Sequence, residues 1–178
     1  GAEEDVIPAG DAAKGYIAAG VNLPGTSFPV MQELLKHVYK KGKGEMEDQS
    51  RIGSIYHTRG VVAGIITAEA IRTAQSRYGK GKPMTGEQVR WGIEQLNIDE
   101  KRLKELGAVG LMQPLKVSCT DHEGGGAVKF LQWDGKKWNV ITDWIAADRE
   151  LVRPLIEQSA AQYAKEKSIT PRDCGKES

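Results

Sequence analysis

His122-Glu123-Gly124-Gly125-Gly126 places an imidazole, a carboxylate and three glycines in one stretch. A phosphate cradle would need a Lys and a Ser or Thr opening a helix after the glycines. Here Ala127 and Val128 begin a strand-like run instead. Cys119, Asp121, His122 and Glu123 are ligand types for a metal, but their spacing matches no metal motif. Successive strand residues also point to opposite faces and do not converge on one ion. The stretch reads as a flexible crossing between strands. Cys119 paired with His37, His57 or His122 would be a nucleophile, yet a strand cysteine with no helix N-terminus behind it has no evident thiolate stabiliser. No Gly-x-Ser-x-Gly elbow, His-Glu-x-x-His or helical pair of carboxylates is present. The expectation is a protein that is not an enzyme and uses no metal or cofactor.

Tyr56-His57-Thr58-Arg59-Gly60 is the other candidate. It opens the longest helical pattern, and a helix start offers unbonded N–H groups and the positive end of the dipole to a carboxylate. Tyr56, His57 and Arg59 add side-chain donors there. A plain surface helix start with an unpaired Arg59 fits the same residues equally well. Trp91, Trp133, Trp138 and Trp144 could stack on a ligand, but three lie in or beside a hairpin pattern, where cross-strand packing is the preferred reading.

The elements that position these residues follow from periodicity. Tyr16–Leu23 is a short apolar run between Gly15 and Pro24 and reads as a buried strand. Thr26 or Ser27 could cap a helix carrying Phe28, Met31, Leu34, Leu35 and Val38 that ends at Gly42. Residues 42–51 are polar and loop-like. Ile55–Tyr78 is helical, with a stripe of small residues (Gly60, Ala63, Gly64, Thr67, Ala70, Ala74) that predicts close, deep packing. Thr85 with Gln88 forms a capping box, and Asp99 caps a second short helix. Period-two patterns give strands at Lys116–Thr120, Ala127–Trp133 and Lys137–Ile145, the last two joined at Asp134-Gly135. Asp148 starts a final helix in which Pro154 is either a kink or the first turn. Thr170–Ser178 reads as a tail. The pattern is α/β but has too few strands to close a sheet.

The chain has 178 residues, 25 Lys plus Arg, 24 Asp plus Glu and a net charge of +1. That balance argues against a nucleic-acid partner. No apolar run is long enough to span a bilayer. Gly1 opens the chain without Met or a signal-peptide pattern, which reads as a processed or truncated product. Two cysteines allow one disulfide or two free thiols.

Gly10–Gly15, the helix at Phe28–Lys41, Tyr56–Gln75, Val128–Trp144 and Thr170-Pro171-Arg172-Asp173-Cys174 together resemble the later half of bacterial ABC-transporter solute-binding proteins of the branched-chain amino-acid type. The resemblance covers nearly the whole chain and implies part of a two-lobed type I periplasmic-binding fold with a β-hairpin and a C-terminal helix. It places residues 1–54 at the end of the second lobe. Residues 55–118 form the return segment of the first lobe. Residues 119–178 hold a crossing, the hairpin and the C-terminal extension.

The implied function is capture of an amino acid or related organic acid in the periplasm and delivery to a membrane permease. Much of the cleft would lie upstream of Gly1. Tyr56 and Arg59 would face the cleft, while Glu3, Glu4 or Asp5 would approximate the acidic group that holds the ligand ammonium. A ligand-sensing regulatory domain of the same fold is the alternative, and a hydrolase using Cys119 and His122 the reading from another class. In an oxidising compartment Cys119 and Cys174 would form a disulfide pinning the C-terminal extension. The exposed edges and faces of a half-fold would pair two copies into a homodimer.

Overall fold

The computed structural model describes residues 1–176. Its opening acidic segment is a helix, α1 (Glu3–Ala9), with Pro8 inside it and a 3-10 turn at Gly10–Ala13. No N-cap side chain marks its start. Instead Glu3, Glu4 and Asp5 sit in the first turn, where the dipole favours them, Asp5 accepts from the Ala2 N–H at 2.9 Å, and Val6 is buried. Strand β1 (Ile17–Gly20) is shorter than the apolar run suggested and is not buried on both faces. It pairs antiparallel with β4 (Lys129–Trp133), which pairs antiparallel with β5 (Trp138–Val140), giving the order β1-β4-β5. Lying at the edge, β1 alternates exposed and buried residues, with Ala18 inward and Ile17 outward.

Helix α2 (Pro29–His37) starts one or two residues later than Ser27 or Thr26 as a cap would place it. Pro29 occupies its first position, suiting the fixed φ of proline, and Phe28 stands at the N-cap without a side-chain bond. A 3-10 turn at Tyr39–Lys41 ends at Gly42, as expected. Another 3-10 turn at Gln49–Arg51 precedes α3 (Ile55–Tyr78), whose bounds are those read from periodicity. The expected capping box fixes α4 (Gly86–Glu94): Thr85 Oγ1 accepts from Gln88 N–H, and Gln88 Oε1 accepts from Thr85 N–H at 2.9 Å. Asp99 caps α5 (Glu100–Glu105), accepting from Arg102 N–H at 2.7 Å. Between these helices β2 (Asn97–Ile98) pairs with β3 (Leu115–Lys116), so the expected strand at Lys116–Thr120 is reduced to its first residue. Helix α6 (Arg149–Glu166) is capped by Asp148 and carries Pro154 inside without breaking there.

The apolar residues form two cores. The first gathers Ala2, Val6, Ala13, Ala18, Ile55, Leu131, Trp133 and Trp138 around the three-stranded sheet. The second gathers Ala70, Leu96, Ile98, Leu103, Ala108, Leu111, Met112 and Val117, with Phe28 and Val30 of the α2 region against it. The chain passes from the first core to the second at residues 24–27 and is back in the first core at Ile55. It leaves again along α3, which packs on the second core from Val61 onward, and returns at residues 118–128.

The small stripe on α3 splits in two. Ala70 and Ala74 are fully buried under α4, where a Cβ on Gly92 would overlap the Ala70 carbonyl oxygen. Gly60 and Gly64 instead have open space where a Cβ would stand, so within the stripe deep packing holds only at Ala70 and Ala74.

Candidate functional site

The head of α3 is where the two cores meet, and polar groups make the joint. Asn22, just after β1, is buried and donates through Nδ2 to Ile55 O at 3.1 Å and to Thr58 Oγ1 at 2.8 Å. Its Oδ1 is buried without a partner. Thr58 passes its own proton back to Ser54 O or Ile55 O. Ser54 stands at the N-cap, accepting from His57 N–H. The sequence carried that signal, a Ser immediately before the helical run, although Tyr56 drew the attention.

The N–H groups at this helix start, read from the sequence as a place for a ligand carboxylate, include one that a side chain of the chain itself already takes. Glu3 Oε2 accepts the Ile55 N–H at 2.9 Å. One residue on, Glu4 Oε1 meets Arg51 Nη2 at 2.9 Å. These two contacts tie α1 to the segment that leads into α3. Asp5 is engaged within its own helix through the Ala2 N–H. Of the four ligand-binding candidates, Glu4 and Asp5 therefore sit on α1, and Tyr56 and Arg59 on the exposed side of α3. The Arg59 guanidinium lies 5.2 Å from the centre of the Tyr56 ring, and both side chains are open to solvent.

Two depressions share this region but no lining residues. One, about 430 Å³, is lined by Glu3, Arg51, Ser54, Trp133 and Trp138 among others. It combines an acid, a guanidinium, a hydroxyl and the edge of an aromatic wall, a set suited to a small zwitterion or organic acid. The other, about 630 Å³, is a mostly apolar groove between α2 and α3 lined by Leu34, Tyr39, Tyr56, Gly60 and Ile65 among others. Tyr56 thus belongs to the groove, and the acid-bearing side to the cavity.

The tryptophans at the hairpin are packing residues. Trp133 and Trp138 face each other across β4 and β5 with ring centres 5.4 Å apart, both buried in the first core. Asp134 in the connecting turn accepts from Lys136 N–H, Lys137 N–H and Asn139 Nδ2, led by the Asn139 bond, which holds its carboxyl down at about 2. Trp91 stacks edge-on against Tyr78 with Arg77 over its face. Far from the α3 head, Glu69 is gripped bidentately by Arg102 at 2.7 and 2.8 Å, which keeps its carboxyl below the ordinary range.

Cys119 and Cys174 are joined in a disulfide, with Cα atoms 5.7 Å apart. Cys119 therefore presents no free thiol to His122, whose Nε2 lies 3.2 Å from Glu94 Oε1. Glu94 also receives Arg172 at 2.7 Å, so the tail that follows α6 is fastened both covalently and ionically. At the other end of α6, Arg149 and Arg153 reach Asp121.

Two solved structures are similar. The crystal structure of an ABC transporter permease from the Pseudomonas fluorescens group superposes with a TM-score of 0.92 at 51% sequence identity, over 97% of this chain and 41% of that one. A branched chain amino acid ABC transporter from Thermus thermophilus with bound valine superposes with a TM-score of 0.61 at 24% identity, over 85% of this chain and 39% of that one. The second likeness is one of fold. The chain spans about two fifths of the length of either structure. No family model matches it, and no curated protein does. Among the described residues no helix is long and apolar enough to cross a membrane.

Proposed function

We propose that this chain is part of the solute-binding component of an ABC uptake system, taking an amino acid or related organic acid in the periplasm and presenting it to a membrane permease without chemical change. The observation that carries this reading is the joint between the two cores. A 430 Å³ cavity with a carboxylate, a guanidinium and a hydroxyl opens against the first core beside the N-cap of α3 and the crossing at Pro24 and Gly25. Tyr56 and Arg59 stand on the first turns of the same helix. The likeness at 51% identity to an ABC transporter structure, and the valine held by the more distant one, support the class of function and of ligand.

Capture proceeds by closure of one core on the other, with torsion at the crossings of residues 24–27 and 118–128. Gly25 at φ +123° and Gly124, Gly125 and Gly126 at +73°, +134° and +71° give those crossings torsional room that other residues lack. Arg59 would take the ligand carboxylate, and Glu4 or Asp5 would approach its ammonium once drawn from their present partners. The remainder of the cleft would come from residues beyond this chain, so the isolated chain binds weakly. The open first half of α3 gives the isolated chain a face through which two copies pair.

The test is calorimetric titration of standard amino acids and aromatic acids into this chain and into a protein carrying it at the full length of its structural relatives. Saturable binding of one ligand per long protein, with much weaker binding to the short chain, is expected. Tight binding by the 178-residue chain alone would contradict a shared cleft, and no binding by the long protein would contradict the function.

A further inference from the structure

His57 lies on the first turn of α3 with hydrogen-bond partners at both ring nitrogens. Its Nδ1 accepts the Gly53 N–H at 3.3 Å. A nitrogen that accepts carries no proton, so the neutral ring holds its hydrogen on Nε2, and this nitrogen lies 2.6 Å from the Tyr39 hydroxyl oxygen. The two rings stand with centres 5.7 Å apart. Tyr39 is backed in turn by Gly44, where any Cβ would overlap the tyrosine ring.

Gly53 is equally constrained on its other side. Its φ is +90°, and a Cβ there would come within 2.8 Å of Thr26 Cγ2 and 3.1 Å of the Gly25 carbonyl carbon. Its carbonyl accepts the Gly25 N–H at 2.7 Å. A chain of contacts therefore runs from Tyr39 through the imidazole and the Gly53 peptide to residues 25 and 26, the crossing between the two cores.

We infer that Tyr39, His57 and Gly53 form a proton-sensitive latch that holds the head of α3 against the crossing at residues 24–27. Protonating the ring puts a hydrogen on Nδ1. That removes the acceptor for Gly53 and sets two N–H groups facing each other. Burial already depresses the basicity of this imidazole, in keeping with a ring held neutral by its surroundings. An opened joint binds the proton more readily than the closed one, so falling pH favours opening. Of the carboxylates on the surrounding elements, Glu3 accepts the Ile55 N–H, Glu4 pairs with Arg51, Glu33 with His37, Glu69 with Arg102 and Asp48 with Ser50, and Glu45 and Glu47 lie on the loop between Gly44 and Asp48. Lys40 and Lys41 follow Tyr39, Arg51, paired with Glu4, precedes Gly53, and Arg59 stands over the neighbouring Tyr56.

Nuclear magnetic resonance on the uniformly ¹⁵N-labelled chain tests it. Long-range ring spectra should show His57 with its proton on Nε2 at about pH 7.5, titrating below the ordinary value of about 6.5. Amide exchange at Gly53 and Gly25, corrected for the intrinsic rate, should speed up at least about tenfold between about pH 7.5 and 4.5. His57→Gln keeps an acceptor and a donor without titrating, and should abolish that dependence. A proton on Nδ1 at neutral pH would overturn the latch. So would unchanged exchange at the two glycines while His57 titrates, or a pH dependence that survives in His57→Gln. If the variant does not fold, the wild-type tautomer and exchange data decide alone.

Discussion

Helices α3 and α6 both carry apolar residues at helical spacing, and the fold treats them oppositely. Helix α3 spends its second half under α4, with Ala70 and Ala74 at 0% exposure. Helix α6 buries none of its residues: Leu151 and Leu155 are 66% and 57% exposed, and Tyr163 57%. An 18-residue helix with so little packing is marginal in water by propensity alone. Other means hold α6: the Asp148 cap, the Arg149 and Arg153 contacts to Asp121 at its start, and the disulfide with the Arg172–Glu94 pair beyond its end. One helix is positioned by packing and the other by tethers. Periodicity reports only that a helix has an apolar face, and says nothing about whether a partner for that face exists in the same chain.

The sharpest way to break the comparison is to cut the tether. Cys174→Ser opens a loop of sequence separation 55, for which chain entropy gives about 4 kcal/mol of lost stability. Chemical denaturation should show that loss. Hydrogen exchange should find protection falling first in α6 and much less in α3. Uniform loss of protection across both helices would mean that α6 is packed more firmly than its exposure indicates.

Gly92→Ala attacks the packed helix instead. Its Cβ would meet the Ala70 carbonyl and come within 3.1 Å of Ala74 Cβ, forcing α4 away from α3. A cost of about 1–3 kcal/mol is expected in thermal or denaturant unfolding, with α6 exchange unchanged. The smallest effect belongs to Leu155→Ala, which should shift stability by no more than about 0.5 kcal/mol, because the side chain it removes is already in water.

How much of this could be read beforehand differs from element to element. Elements with local chemistry were plain: the bounds of α3, the Thr85–Gln88 box, the Asp99 and Asp148 caps and the Asp134-Gly135 turn all rest on residues a few positions apart. Elements that exist because of distant partners were not. Helix α1 contains Pro8 and lacks a capping side chain, and it is held by burial of Ala2 and Val6 against a sheet whose other strands come more than a hundred residues later. The two-residue β2 is defined only by its pairing with β3.

The site divides in the same way. Tyr56 and Arg59 were visible as donors at a helix head, and the Cys119–Cys174 bridge followed from the resemblance. Asn22, Arg51 and Gly53 were not singled out, because their roles lie in contacts to residues 33, 47 and 28 positions away.

The most direct test of the functional reading is the dissociation constant of Arg59→Ala for the acidic ligand, measured calorimetrically in the protein of full relative length. Arg59 is exposed and stacked on Tyr56, so its removal should leave the melting temperature almost unchanged. Loss of a charge-assisted contact to the ligand carboxylate should weaken binding by about 1.5–3 kcal/mol, a factor of about 10 to 150. An unchanged dissociation constant would contradict the placement of Arg59 in the binding cleft.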